Sequence, residues 1–316
     1  MSYLEKLENI YKAAGAVDFK IGGALTAQQT EAWFTNVRDK SEFLKRVSMR
    51  LRSKLSGNTG FISVGDNLFG RTAEGTEIGA SNPETKKFSQ YMLLPLDLRV
   101  PIGYSVIDDN PEHGLLEKIN AVLDQGVANS LQNLAINGTL DDFSAGFLTL
   151  NKGWMTLAKA SATTKKVLLT VAGNPTEAAT GLKFINHDKT VRRMLQELPQ
   201  EHRDRAVVLM SDNDRLARID EVLAATDGAA RVIAEAALSA EQKYQCGGKP
   251  VLTPHNWPAN FMMMTTPENL EIDVHSTVRR DIINRPERKS VDYVYSMYAD
   301  MEIIHHDETV ISYVTG

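Results

Sequence analysis

Between Asn110 and Gly138, apolar residues recur at steps of three and four. Leu115, Ile119, Val122, Leu123, Val127, Leu131 and Leu134 form the stripe, with Gly126 and Ser130 in the same row. The pattern predicts one helix over 110–138, roughly 40 Å long at about 1.5 Å per residue. Asn110 suits the N-cap, Pro111 the first helical position and Gly138 a left-handed C-terminal cap. Gly114 and Gly126 each weaken such a helix by up to about 1 kcal/mol. The helix must therefore lie on something, and its small residues allow another backbone to come close.

Two shorter helical patterns precede it. Residues 1–14 place Leu4, Leu7, Ile10 and Tyr11 on one face, and a second pattern runs from about Thr26 through Trp33, Phe34, Val37 and Leu44 to near Val47. Neither has an evident core of its own, so residues 1–46 read as an N-terminal arm. At Val47 the period changes to two: Met49, Leu51 and Leu55 alternate with Arg50, Arg52 and Lys54, and Lys45 and Arg46 extend the basic face. Contact with a polyanion, contact with an acidic neighbour, and plain solvation all suit that face. A return strand alternates Met92, Leu94, Leu96, Leu98, Val100 and Ile102 with other residues, and Pro95 and Pro101 mark it as an edge.

Between these strands the chain is glycine-rich, with apolar pieces at Phe61–Val64 and at Leu68 and Phe69. Residues 47–103 read as a long two-stranded excursion. A ribbon of that kind is marginal alone in water, so it is expected to lie on another copy of the protein. Arg71 follows Gly70 in a segment with neither the Lys-Ser/Thr of a phosphate loop nor a GxGxxG spacing.

Beyond the long helix, the pattern gives a short helix at Trp154–Ala158 and a strand at Lys166–Val171. A helix from about Leu182 to Leu198 follows, then a fully apolar strand at Ala206–Met210 with Ser211 or Asp212 to cap the next helix, and an Ala-rich helix near Gly228–Leu238. The last third is β-rich: Phe261–Met264, Leu270–Val274, Val291–Ile304 and Thr309–Val314. The fold class is α+β.

Composition is that of an ordinary globular chain of 316 residues, and a net charge of -5 excludes a generally basic nucleic-acid binder. The single cysteine, Cys246, excludes an intramolecular disulfide and an all-thiolate metal site. The N-terminus has no secretory pattern, and no stretch reaches the roughly 18 apolar residues of a membrane span. His305, His306, Asp307 and Glu308 are the most metal-like cluster, but adjacent strand residues point to opposite faces, and a turn role is expected. His187 and Asp188 lack an HExxH pattern, and His255 reads as a packed loop histidine. No catalytic, cofactor or metal site is expected.

The order of parts, arm, long excursion, long helix, α/β layer and returning strands, resembles the major capsid proteins of tailed bacteriophages, those of the Hong Kong ninety-seven or Johnson fold, and most closely the peduovirus type. The residues that carry the resemblance are Ala206–Met210; Gly248-Lys249-Pro250 with Pro254 and Trp257-Pro258-Ala259; Pro267-Glu268-Asn269-Leu270-Glu271-Ile272; and Arg279-Arg280, Pro286 and Asp292–Tyr298. Ser41–Leu44, the excursion and Gly153-Trp154 match more loosely.

The resemblance implies a shell subunit with an arm over 1–46, an extended loop over 47–103 lying across a neighbour, and a peripheral domain over 104–159 built on the 110–138 spine. It implies an axial domain over 160–260 and closing strands over 261–316. It implies pentamers and hexamers enclosing non-specifically bound double-stranded DNA, with scaffolding, portal and decoration proteins as partners, in a virion head assembled in the host cytoplasm. Lys45, Arg46, Arg50, Arg52 and Lys54 become candidates for inter-subunit or DNA contact, and Phe61, Leu68, Phe69 and Arg71 for extended-loop contact with a neighbour. The lysine–asparagine–acid set of the cross-linked branch is not identifiable. Two rival readings are an encapsulin-type compartment of the same fold and a metal-dependent hydrolase using His305, His306 and Asp307.

Overall fold

A computed structural model describes residues 23–63, 84–109, 115–140, 146–169, 187–224 and 244–314. The chain begins with β1 (Gly23–Ala24), α1 (Ala27–Asp39), β2 (Ser48–Arg52), β3 (Ser56–Ser63), β4 (Glu84–Met92) and β5 (Leu94–Gly103). Then follow α2 (Tyr104–Asp109), α3 (Leu115–Asn137), α4 (Trp154–Ala160), β6 (Lys165–Leu169), α5 (His187–Glu197), β7 (Val207–Leu209) and α6 (Asp212–Ala224). The last strands are β8 (Gln245–Cys246), β9 (Lys249–Leu252), β10 (Phe261–Thr265), β11 (Leu270–His275), β12 (Arg279–Arg285), β13 (Ser290–Ile303) and β14 (Val310–Val314).

Thr26 starts α1 through a capping box with Gln29, each side chain accepting from the other's amide. The helix stops at Asp39 rather than near Val47, and turns carry the chain into β2. Phe34, Val37, Phe43 and Leu44 are all buried in one core. The described part of the arm is thus packed on the body. Trp33 also donates its indole N–H to Asp124 of α3 at 3.0 Å. Residues 1–14 lie outside the described residues, as do Asn110, Pro111, Gly114, Ile185 and the Gly228–Leu238 segment.

The first sheet runs β1-β12-β13-β11-β2, with β5 also paired to β13. The excursion expected over 47–103 is therefore not one ribbon. Its outer strands belong to the body: β2 runs parallel to β11, and β5 runs antiparallel to the first part of β13. Only β3 and β4 form a two-stranded ribbon. The alternation breaks where ribbon meets body. Met92 is 59% exposed and Leu93 is buried, the reverse of the expected order. β5, with its two prolines, has β13 as its partner strand among the described residues.

The second sheet runs β6-β14-β10-β7-β9-β8. Two C-terminal strands, β10 and β14, lie here and not in the first sheet, because the chain crosses between sheets at 266–269 and again at 304–309. Gly247 and Gly248 both have positive φ and make the tight turn between β8 and β9. Ser211 caps α6, its hydroxyl accepting from the Asp214 amide at 3.0 Å.

The helix α3 spans Leu115–Asn137, with Leu123, Val127, Leu131 and Leu134 buried against the first sheet. Val122 is 71% exposed, and Gly126 and Ser130 share the exposed side. At about 100° per residue, Val122 sits roughly 140° around the helix from Val127. Gly138 is not a left-handed cap. Its requirement is space: a Cβ there would stand 2.3 Å from Asn151 O and 2.8 Å from Gly153 N. Gly153 donates to Gly138 O at 2.8 Å, so the end of α3 and the start of α4 meet backbone to backbone. That contact delivers Trp154, fully buried, to the sheet, where its indole N–H faces the carbonyls of Glu302 and Glu271 at 3.0 and 3.3 Å.

The two glycines of this region should separate in a thermal melt of the full chain. Gly138→Ala forces a methyl into backbone and should cost about 1–3 kcal/mol. Gly126→Ala meets nothing within 4 Å and should add up to about 1 kcal/mol through helix propensity.

Candidate functional site

Strand geometry sorts the first sheet into two faces. Met49 and Leu51 of β2, Leu270, Ile272 and Val274 of β11, and Ala299, Met301 and Ile303 of β13 pack in the helical core. Their alternates lie on the other face. There Glu271 stands opposite Glu302, and Asp273 stands opposite Asp300. Beside them β2 contributes two guanidinium groups. Arg50 Nε lies 2.7 Å from Glu271 Oε1, and Arg52 bridges Asp273 Oδ1 at 2.8 Å and Glu271 Oε1 at 3.4 Å. Glu271, Asp273 and Glu302 are buried.

The ribbon leaves the body over this face. The Arg52 guanidinium lies 4.5 Å above the Tyr91 ring. Gly57 lets the facing strand pass, since a Cβ there would stand 2.6 Å from the Tyr91 hydroxyl. The Met92 amide donates to Asp300 Oδ2 at 2.8 Å, and the Leu93 amide to Leu55 O at 2.8 Å. Further along, Arg99 of β5 donates to the buried Asp292 of β13 at 2.7 Å.

The electrostatics are those of a face with more acid than base. Burial pushes the Glu271 carboxyl up to about 7; Asp273 and Glu302 add to the shift, and Arg50 and Arg52 oppose it. Burial likewise pushes Asp300 up to about 6, helped by Asp273 and opposed by the amides of Met92 and Met301. Both carboxyls therefore hold protons at a pH where exposed ones do not.

The basic residues read from the sequence divide here. Arg50 and Arg52 face carboxylates of their own chain. Lys45 pairs with Glu42 at 2.6 Å, while Arg46 and Lys54 are exposed. Phe61 lies in β3 next to a register shift at Gly60/Phe61, and Leu68, Phe69 and Arg71 fall outside the described residues. The four carboxylates were not singled out by sequence reasoning. Their signal was nonetheless present, because Glu271 and Asp273 alternate with Leu270, Ile272 and Val274, as Asp300 and Glu302 do with Ala299, Met301 and Ile303.

The other candidates make local polar contacts. Asn269 accepts the His305 amide at 2.6 Å, and the His306 ring faces the Thr164 hydroxyl at 3.2 Å. His255 is exposed, and it is its carbonyl that is held, by Gln132 at 2.9 Å. Burial opposes ionisation of Asp188, but the Gly247 amide and Arg218 outweigh it and hold the carboxyl low. No group of three or more His, Cys, Asp or Glu side chains placed to hold a metal occurs among the described residues. A cleft of about 300 Å³ opens beside the acidic face, lined in part by Gln90, Met92, Lys152, Asp300, Glu302 and His306.

Comparison with known proteins places this arrangement. The family model described as phage major capsid protein, P2 family, matches residues 1–310. The fold is similar to that in a satellite phage P4 procapsid that includes the size determination (Sid) protein, with a TM-score of 0.69 at 16% identity over 91% of this chain and 100% of that one. It is also similar to the capsid of a native GTA particle, with a TM-score of 0.58 at 15% identity over 88% and 91%. A virus-like particle from Pyrococcus furiosus matches with a TM-score of 0.51 at 13% identity over 89% and 96%. No curated protein matches the sequence.

Removing one guanidinium tests the charge balance of the face. Arg52→Gln should cost about 3 kcal/mol at about pH 8, because buried carboxylates lose their counter-charge. The loss should shrink toward about pH 5, where Glu271 takes a proton instead. Denaturant midpoints at both pH values check this, and an equal loss at both would assign Arg52 a packing role on Tyr91 alone.

Proposed function

The chain belongs to the P2 family of phage major capsid proteins and has the Hong Kong ninety-seven-like capsid fold, and from that premise we propose how it builds a head shell. Pentamers and hexamers of the chain close an icosahedral shell around double-stranded DNA, which the subunits touch without sequence preference. The first sheet with α3 serves as the peripheral body, and the second sheet with α5 and α6 meets its copies around the symmetry axes. The ribbon crosses a neighbour, with Phe61, Leu68, Phe69 and Arg71 in that contact. Lys45, Arg46 and Lys54 serve inter-subunit or DNA contact. Arg50 and Arg52 serve it only through what their own carboxylates leave unsatisfied. Scaffolding and portal proteins assemble with the chain in the host cytoplasm, and decoration proteins join the outer surface.

The observation that carries this reading is the ribbon itself. Two strands, β3 and β4, pair with each other while β2 and β5 anchor both ends in the body sheet. An isolated two-stranded ribbon is marginal in water and gains burial from a partner. Repeated around a closed symmetry, that contact is a heterologous interface between identical chains. The match of the family model to residues 1–310 favours a phage head over an enzyme-holding compartment.

Electron microscopy of the purified protein tests the assembly. Closed icosahedral shells are expected from the full chain. Replacing residues 64–83 by a short turn should leave the circular dichroism spectrum of the body intact and abolish shells. A full-length protein that stays a monodisperse monomer under all assembly conditions overturns the reading. Particles filled with protein rather than DNA would move it to a compartment.

A further inference from the structure

Two helices beside the second sheet have their charges sorted by sign. On α5, His187, Thr190, Val191 and Met194 are buried, while Lys189, Arg192, Arg193 and Gln196 are exposed. The acids of this helix stand off that row or at its edge. Asp188 accepts from Arg218 of α6 and from the Gly247 amide, and Glu197 pairs with Arg193 at 2.9 Å. On α6 the signs are reversed. Asp214 is buried, while Asp212, Asn213, Leu216 and Asp220 are exposed. Its bases are largely buried: Arg218 reaches Asp188 at 3.2 Å, and Arg215 lies 4.9 Å from the Tyr244 ring and pairs with Asp212 at 2.8 Å.

This sorting does not favour a lone subunit. Lys189 stands three and four positions before Arg192 and Arg193, a like-charge spacing that destabilises a helix. It also lies in the first turn of α5, where a cation opposes the helix dipole. Lys189, Arg192 and Asp220 form no ion pair among the described residues. Leu216, 47% exposed, sits four positions from Asp212 and four from Asp220. A basic row complements such a surface, because lysine and arginine stems cover the leucine while their heads reach the carboxylates. The two rows also agree in length, each about 10 to 12 Å at about 1.5 Å per residue.

We propose that the basic row of α5 on one copy docks on the acidic row of α6 on the next copy of this chain, through Lys189, Arg192, Asp212, Leu216 and Asp220. The pairing rests on the proposed shell and names the surfaces by which its second sheets meet around an axis. The two rows are different surfaces, so the contact is heterologous: each copy gives one row and receives the other until the ring closes. Exposed charge pairs of this kind contribute more to register and partner choice than to affinity.

Charge exchange in the full-length protein tests it, read by electron microscopy and native mass spectrometry. Lys189→Glu with Arg192→Glu makes both rows acidic, and Asp212→Lys with Asp220→Lys makes both basic. Each variant alone should keep a cooperative thermal melt and give at least about tenfold fewer shells than the wild type. All four substitutions in one chain restore complementarity and should restore shells. An equal mixture of the two variants should associate only into even-numbered rings, because an odd ring leaves one like-charged contact. Hexamers should therefore form, and closed shells, which need pentamers, should not. Asp220→Lys alone replaces the basic pair of substitutions if a lysine in the first turn of α6 prevents folding. Wild-type shell yield in the folded variants overturns the pairing and leaves the shell standing. A folded combined chain without shells overturns it as well. Restoration in the combined chain without association in the mixture also overturns it, since the rows then meet within one chain. A wild type that forms neither rings nor shells overturns the shell itself, and the pairing with it.

Discussion

The relative placement of the two sheets depends on one side-chain amide. Asn269 sits where the chain leaves β10 for β11, beside the return from β13 to β14. Its Oδ1 accepts the His305 amide at 2.6 Å, and its Nδ2 faces Thr265 Oγ1, His305 O and Thr309 Oγ1 at 2.9 to 3.0 Å. Both crossings between the sheets are thereby tied to one buried group. A hydrocarbon side chain would leave the His305 amide and carbonyl to find other partners in a buried setting, at about 1–3 kcal/mol for each group unsatisfied. This is the physical content of the Glu-Asn-Leu motif. Glu268 is turn surface, Leu270 is core, and Asn269 is the rivet.

The first sheet is then a plate with two opposed chemistries. On its inner face α3, α1 and Trp154 form a continuous apolar core with β11 and β13. Close approach at Gly138 and Gly153 sets the depth of Trp154, whose indole N–H reaches backbone carbonyls of Glu271 and Glu302. The side chains of those same two residues emerge on the outer face. The strands that carry the charged cluster are thus held from beneath by packing, so the carboxylates cannot separate to relieve repulsion. Protons and guanidiniums must neutralise them in place. Burial, with Asp273 and Glu302 close by, raises Glu271 to about 7, and Arg50 and Arg52 of β2 oppose the rise.

Much of this was legible in the pattern of residues, and the misses share a cause. The starts of α1 and α6 were marked, near Thr26 and at Ser211 or Asp212, because helix starts are local chemistry. The edge character of β5 was marked by Pro95 and Pro101 for the same reason. What failed needed knowledge of a partner element. Val122 satisfies the three-four stepping of the α3 stripe, yet the sheet takes the face centred on Val127. Gly138 looked like a cap because it ends a helix, whereas its smallness answers Gly153, fifteen positions on, in a contact no local pattern encodes. The basic face of β2 was visible as alternation, but the acids that answer it lie more than 200 positions away on β11. The acidic alternation was equally visible, and only strand register makes the two into one site.

Register also explains why the ribbon stays two-stranded. β2 and β5 find body strands whose apolar faces match theirs, Met49 and Leu51 beside Ile272 and Val274, Leu96 and Leu98 beside Met297 and Tyr295. In β3, Ser56, Gly57, Asn58, Thr59 and Gly60 offer no apolar row that the body sheet could cover. Among the described residues the ribbon is held to the body at its root. A projecting element anchored at both ends by a rigid plate loses little entropy when a second surface captures it, compared with a free peptide of equal length. The same sequence that denies the ribbon a place in its own core is what suits it, in the proposed assembly, to clasp a neighbouring copy.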